Sequence, residues 1–393
     1  MKEHSKAIGV LFMSLFLVMV GFGIIIPIFP FLVLEYKGNA ATLGFLMAAY
    51  SLMQFFFAPF WGKLSDRIGR RPVFLIGLSG FGLTFILFGL STEMWMLFAT
   101  RLLSGIVSSA TLPTAMAYMA DITGQENRAQ GMGMMGGAMG LGMVFGPALG
   151  GWLVHYGLAM PFFAAGGLAL LTLPFAYFFL PESLKAKKAE DLKKEQKFTG
   201  QIFKHPQFPL LSLGFVLSFS MALFESTFAL FAAARVGFGP REVGIMFTIL
   251  GIIGVTIQAG LIGRLVKRFG DAKMIIAGTL IAIGGLILIL LAPNGITIMA
   301  CTALFSGGNS LLRPSISALM AKTAEAGQGT AMGLMQSSDS LGRIIGPVAG
   351  GLIYSLNMNV PYLLGAAILL VTLLWTKPRL VEYSEIKNIS VMH

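Results

Sequence analysis

The charges of this chain sit in short clusters, and between them run apolar stretches of 18 residues or more, each long enough to cross a bilayer as a helix. Of 393 residues, 56% are hydrophobic and 11% charged, where an ordinary soluble domain carries about a quarter charged residues. The chain therefore reads as an all-α membrane protein. About twelve spans are expected, near 8–34, 43–61, 73–91, 94–120, 129–153, 160–180, 207–234, 243–262, 272–292, 296–320, 329–355 and 360–376. The first run is too long for a cleaved signal and lacks a small-residue cleavage site, so it is expected to be a retained helix.

The apolar chain also reads almost the same twice. Trp61-Gly62-Lys63-Leu64-Ser65-Asp66-Arg67-Ile68-Gly69 returns as Ile262-Gly263-Arg264-Leu265-Val266-Lys267-Arg268-Phe269-Gly270. Gly146-Pro147-Ala148-Leu149-Gly150-Gly151 returns as Gly346-Pro347-Val348-Ala349-Gly350-Gly351, and Pro113 with Met119-Ala120 as Pro314 with Met320-Ala321. Two copies imply two six-helix bundles, residues 1–180 and 207–393, joined by a linker at 181–206. In membranes, a site between two such halves belongs mostly to transporters that rock one half against the other.

Lysine and arginine set the orientation. Lys63, Arg67, Arg70 and Arg71 follow the second span, Arg264, Lys267, Arg268 and Lys273 follow the eighth, and the linker holds Lys185, Lys187, Lys188, Lys193, Lys194, Lys197 and Lys204. All fall on one side, which the positive-inside rule makes cytoplasmic together with both termini, in a plasma membrane. The net charge of +11 is thus a match for anionic lipid and not a nucleic-acid signature. His4, His155, His205 and His393 are scattered and Cys301 is the sole cysteine, so neither a metal site nor a catalytic triad is expected, and no enzyme. Gly131-Met132-Gly133-Met134-Met135-Gly136 formally matches a dinucleotide fingerprint, but it opens a membrane helix with no strand before it. There is no phosphate-binding GxxxxGK[ST] loop either, and no cofactor is expected.

These features resemble the major facilitator superfamily over essentially the whole length. Gly62-Lys63-Leu64-Ser65-Asp66-Arg67-Ile68-Gly69-Arg70-Arg71 matches its loop signature, and Arg101 with Gly105 fits its second motif. Gly142-Met143-Val144-Phe145-Gly146-Pro147 fits the motif of its antiporter branch, and Pro181-Glu182-Ser183 is another family mark. Within the superfamily the chain looks most like the twelve-helix drug:proton antiporters that include bacterial multidrug and tetracycline pumps. The resemblance implies a proton-coupled exporter working by alternating access, associated with antibiotic resistance. It also implies an acidic proton carrier in the segment holding Glu225. Related pumps carry an aspartate near Asn309 and Ser310, which departs from their pattern here.

The motifs have their own physics. Gly62 and Gly69 permit tight turns and close approach. Asp66 lies among Arg67, Arg70 and Arg71, where it can pair with a guanidinium or cap a helix. This makes either a charge latch or a topological anchor, and Lys267 at the matching place makes a latch one-sided. Gly133, Gly137, Gly142, Gly146 and Gly150 recur at small-xxx-small spacing for close helix approach, and Pro147 should bend the helix. This is either a hinge or ordinary packing. Met132, Met135, Met139 and Met143 form a helical stripe, read first as packing and second as a polyspecific surface.

An ionisable group inside hydrocarbon costs roughly 2.5–3.5 kcal/mol on insertion scales, so each needs a reason. Five are expected: Arg101, Glu225, Arg313, Asp339 and Arg343. Glu225 stands in Ala222-Leu223-Phe224-Glu225-Ser226-Thr227-Phe228 with no basic residue within a turn. Desolvation favours the neutral form of a carboxylate, which suits it to exchange a proton for a cationic substrate. The rival reading is a structural, hydroxyl- or water-paired glutamate. Asp339 and Arg343 have the spacing of an intrahelical ion pair, with a structural or gating role ahead of proton transfer. By family analogy Arg101 steers protonation or holds a partner carboxylate. Phe224 and Phe228 can hold a planar cation, and Asn309 and Arg313 fall on the substrate path.

The reading is a proton-driven antiporter exporting lipophilic, cationic or zwitterionic small molecules through a mostly apolar cavity near Glu225. Its partners are substrates, protons and lipid, and a monomer suffices. The rivals are an exporter of one endogenous metabolite, an uptake symporter, and a membrane enzyme or receptor.

Overall fold

A computed structural model describes residues 2–123, 127–184, 207–323 and 328–390. Most of the expected linker, from residue 185 onward, lies outside them. Among the described residues there are helices and no strand: α1 (Lys2–Glu35), α2 (Ala40–Ile68), α3 (Arg70–Gly89), α4 (Met94–Ser108), α5 (Thr111–Ile122), α6 (Arg128–Leu153), α7 (Met160–Phe179), α8 (Phe208–Val236), α9 (Pro240–Thr256), α10 (Ile262–Phe269), α11 (Asp271–Leu291), α12 (Gly295–Lys322), α13 (Gln328–Leu356) and α14 (Val360–Ser390). Eleven of the expected spans are long and apolar enough to cross a membrane. The remaining one, α13, has 29 residues, but its apolar run is diluted by Gln336, Ser337, Ser338, Asp339 and Arg343.

Two expected spans are not single regular helices. The fourth breaks between α4 and α5, where Ala110 N donates to Val107 O in a tight turn. Pro113 lacks the N–H that would bond the Ser109 carbonyl. The Ser108 and Ser109 hydroxyls also bond back to Ser104 O (2.6 Å) and Ile106 O (2.7 Å), which bends helices. The eighth span is α9 and α10 joined by a π turn at Ile257–Leu261, a feature that gathers at functional sites.

The chain forms two compact units. The first holds the described residues within Met1–Lys37, Ala49–Gly200 and Pro240–Thr248; the second holds those within Gly38–Ala48, Gln201–Gly239 and Ile249–His393. In the first, α1 packs on α6 and α7, and α3 on α4, α5 and α7. In the second, α8 packs on α13 and α14, and α11 on α12 and α14. The sequence repeat is therefore a repeat of packing.

The repeated glycines show how it is built. A Cβ at Gly142 would fall 2.7 Å from Phe16 O, at Gly146 2.5 Å from Val20 O, and at Gly150 2.7 Å from Ile24 O, so α6 lies backbone to backbone on α1. Gly342 and Gly346 of α13 meet Phe215 O and Phe219 O of α8, each at 2.8 Å. Gly133 and Gly137 have nothing within 4 Å, so the close-packing face is the second half of the expected glycine run. The matching is kept in the segments that change unit. Gly44 abuts the Pro347 carbonyl in the second unit, and Gly244 lies against Pro147 O in the first, where a Cβ would fall 2.6 Å away.

Candidate functional site

Four of the five charges expected inside the membrane, Glu225, Arg313, Asp339 and Arg343, converge in the second unit. On α8, Leu217, Ser218, Met221, Ala222 and Glu225 line one cavity, a stripe at the three- and four-residue spacing of one helix face. On α12, Ser306, Asn309, Ser310 and Arg313 do the same. Gln258, carried by the π turn, and Arg343 of α13 complete it. The cavity is open, about 150 Å³ in volume within a wider space of about 630 Å³ that runs into open solvent. Eight of its eleven lining residues carry a polar or charged group, although carbon atoms supply most of the surface.

Glu225 faces this cavity half-buried, and its carboxylate has no hydrogen-bond or ion-pair partner among the described residues. Arg313 and Arg343 share the lining and act on it electrostatically. The surroundings of Glu225 are thus basic, supplied by helices distant in sequence. Asn309 Nδ2 donates to Phe305 O at 3.2 Å, and its Oδ1 is buried with no partner.

The expected intrahelical pair is not formed. Asp339, 4% exposed, accepts from Arg313 Nη2 at 2.9 Å and from Ser218 Oγ at 2.8 Å. Asp339 thereby ties α13 to α12 and α8, and Arg343 is left exposed in the cavity without an ion pair among the described residues. The four-residue spacing permits a pair, but Asp339 points into the contact with α8 and α12, where Arg313 reaches it first.

Phe224 and Phe228 do not line the cavity. Both are fully buried and pack on each other (ring centroids 4.7 Å apart), with Phe224 also 4.9 Å from Phe305. Phe224 is rotated off the cavity stripe, and Phe228 lies a turn beyond its end. Gln258, Ser218, Met221 and Ser306 were not singled out by sequence reasoning, and Ser310 only as a departure from the related pumps' pattern. A signal existed for Ser306 and Ser310, which with Asn309 and Arg313 form a polar stripe at helical spacing within an apolar span.

Arg101 belongs to the first unit. It is 7% exposed and its guanidinium stands over Phe29 at 4.2 Å, Phe88 at 5.2 Å and Tyr50 at 5.7 Å. Its Nε has no partner, and no carboxylate pairs with it among the described residues. The expected partner carboxylate is replaced by an aromatic cage, which attracts a cation through the ring faces.

The loop signature forms a second charged cluster in the first unit. Arg70 pairs with Asp66 (2.6 Å) and with Asp121 (3.1 Å) and donates to Ser65 Oγ (2.7 Å). Arg67 stays exposed. The α3 cap falls to Glu182 and not to Asp66: Arg70 N and Arg71 N donate to its two carboxylate oxygens at 2.8 and 3.1 Å. Gly69 has φ +112° and lies against that carboxylate, so it is the turn glycine, while Gly62 sits in a helix with nothing near. The second unit holds a counterpart of opposite sign. The positions matching Asp66, Arg70 and Asp121 are Lys267, Asp271 and Lys322, and Lys322 pairs with Asp271. The expected one-sided arrangement is therefore corrected to an inverted pair. Of the expected hinge residues, Gly142 and Gly146 pack on α1, and α6 runs on through Pro147.

A family profile described as Major Facilitator Superfamily matches residues 11–262 and 210–390. The chain is 32% identical over 391 residues to Multidrug resistance protein 2 of Bacillus subtilis, covering 96% of this chain and 97% of the relative. It is 28% identical over 357 residues to the quinolone resistance protein NorA of Staphylococcus aureus, covering 91% and 92%. Among solved structures it is similar to a bacterial homolog of the human lysosomal transporter Spinster, in an inward-facing and unoccupied conformation, with TM-score 0.79, 16% identity and 98% coverage of each chain. The human organic anion transporter MFSD10 matches with TM-score 0.70 and 24% identity over 94% of this chain and 98% of that one.

Proposed function

The chain belongs to the Major Facilitator Superfamily, a multi-pass membrane transporter and not an enzyme, and on that premise we propose that it is a proton-coupled antiporter exporting lipophilic, cationic or zwitterionic small molecules by alternating access. The observation that carries the reading is Glu225: a carboxylate without a hydrogen-bond or ion-pair partner among the described residues, facing an open cavity. The resistance functions named for the B. subtilis and S. aureus relatives support the substrate class. Substrate displaces the Glu225 proton on the inside, and an outside proton reloads the acid. The reading includes a plasma-membrane location, cytoplasmic termini and a functional monomer.

Energetics fix the exchange ratio. One proton for one monovalent cation is electroneutral and uses only the pH gradient, roughly 1.4 kcal/mol per pH unit. Using the membrane potential, about 2.3 kcal/mol per charge per 100 mV, takes a second proton. Asp339 is held by Arg313 and Ser218, so Glu225 is the single free acid of the cavity among the described residues, and exchange of a monocation is electroneutral. A solid-supported-membrane recording checks this: a monocation should give no transport current, and a substrate-dependent current contradicts it. The polar lining favours a second reading, export of one specific metabolite. Competition among chemically unrelated compounds for one efflux process supports the multidrug reading, and its absence supports the metabolite.

A further inference from the structure

The cavity has two free poles and not one. With Arg313 taken by Asp339, the charged groups left without an ion pair among the described lining residues are Glu225 and Arg343, and the partnerless Asn309 Oδ1 shares the lining. The charges of the site are Glu225 and Asp339 against Arg313 and Arg343. They cancel when Glu225 is ionised and leave an excess guanidinium when it is protonated. A simple lipophilic cation meets that guanidinium as a repulsion, whereas a molecule carrying both an amine and a carboxylate meets complementary groups at both ends.

We propose that Arg343 is a specificity-determining residue that binds an anionic group, a carboxylate by preference, so that the favoured substrates are amphiphilic zwitterions whose cationic end faces Glu225 and Asn309. The inference rests on the export reading and narrows its substrate class. A guanidinium grips a carboxylate through two parallel N–H donors, which a lysine replaces only as a point charge. Arg343 is suited to this because no carboxylate forms an ion pair with it among the described residues and it is exposed in the cavity. Arg313, with an Nη2 committed to Asp339, instead braces the wall.

The test uses a matched pair of dyes: rhodamine B, a xanthylium cation with a carboxylate, and its methyl ester, the same cation without one. Binding to the purified full-length protein is followed by fluorescence anisotropy, and export by proteoliposomes under an imposed pH gradient. Wild type should bind the acid more tightly than the ester. Arg343→Gln should weaken acid binding roughly tenfold or more while leaving ester binding unchanged or improved, and Arg343→Lys should restore part of the loss. Retained ester binding shows that the variants fold. Wild type preferring the ester overturns the proposal without recourse to a variant, as does an Arg343→Gln variant that loses both dyes equally or neither. A shift of both dyes' pH profiles with unchanged selectivity also overturns it, because Arg343 then acts only on the Glu225 charge. If the ester is exported and the acid is neither bound nor exported, the export reading stands and this inference falls. If acid binding depends on Arg343 but neither dye is pumped, the anion site stands and the export reading falls.

Discussion

The pairing of Asp339 with Arg313, and not with Arg343, makes a quantitative prediction. Asp339 is buried and accepts two hydrogen bonds, one of them from a guanidinium. A hydrogen bond to a charged group contributes about 1.5–3 kcal/mol, and the Arg313 side chain is 47% exposed, so solvent screening reduces its coupling to about 1–2 kcal/mol. Asp339→Asn keeps an acceptor for Ser218 and removes the charge, and Arg313→Gln removes the donor. Each should destabilise the protein by about that amount, and the double variant hardly more than either single one. The matching cycle of Asp339→Asn with Arg343→Gln should be additive within about 0.5 kcal/mol. Reversible unfolding by sodium dodecyl sulfate in mixed micelles, followed by far-ultraviolet circular dichroism, measures both cycles. Coupling of Asp339 to Arg343 as large as its coupling to Arg313 refutes the assignment.

Other perturbations follow from the same geometry. Gly146→Leu places side-chain atoms where a Cβ already meets Val20 O at 2.5 Å; it should cost about 1–3 kcal/mol or more and lower the thermal midpoint, while Gly137→Ala, with open space around it, should not. Glu182→Gln removes the charged cap from α3 and should cost about 1 kcal/mol, with faster amide exchange at Arg70 and Arg71 than in wild type; unchanged exchange there contradicts the cap. Lys322→Ala leaves the buried Asp271 carboxylate without its pair and should destabilise by about 1–3 kcal/mol. The swap of Asp271→Lys with Lys322→Asp should recover part of that in the same unfolding assay. Gly44→Val drives a side chain into the Pro347 carbonyl and should lower transport, measured in proteoliposomes, more than Gly62→Val, which meets nothing.

Most of the spans were legible because hydrophobic length and a repeated sequence act over whole segments. Small local errors do not disturb them. Gly146 and Gly346 marked the close helix contacts because only a missing side chain lets two backbones meet. Glu225 was legible as an isolated acid in an apolar run. What stayed hidden depends on how helices are rotated against neighbours far away in sequence. Spacing alone offered Asp339 a partner four residues on, while Arg313 lies 26 residues back on another helix. Phe224 adjoins Glu225 in sequence, yet a helix turns by about 100° per residue, which sends that ring into the core. The cap supplied by Glu182 to Arg70 spans 112 residues, and no local rule reaches that far. The sign-inverted Lys267, Asp271 and Lys322 set was readable by aligning the repeats for charge as well as for identity.

Glu225 is the group proposed to couple proton movement to export. The most direct test is efflux of a fluorescent lipophilic cation from proteoliposomes under an imposed pH gradient, with wild type and Glu225→Gln compared side by side. Wild type should drive efflux against the dye gradient, and Glu225→Gln should bind the dye yet fail to couple its movement to protons. Equal proton-driven efflux by both would contradict the account and move the proton site elsewhere, with Asp339 the next carboxylate to test.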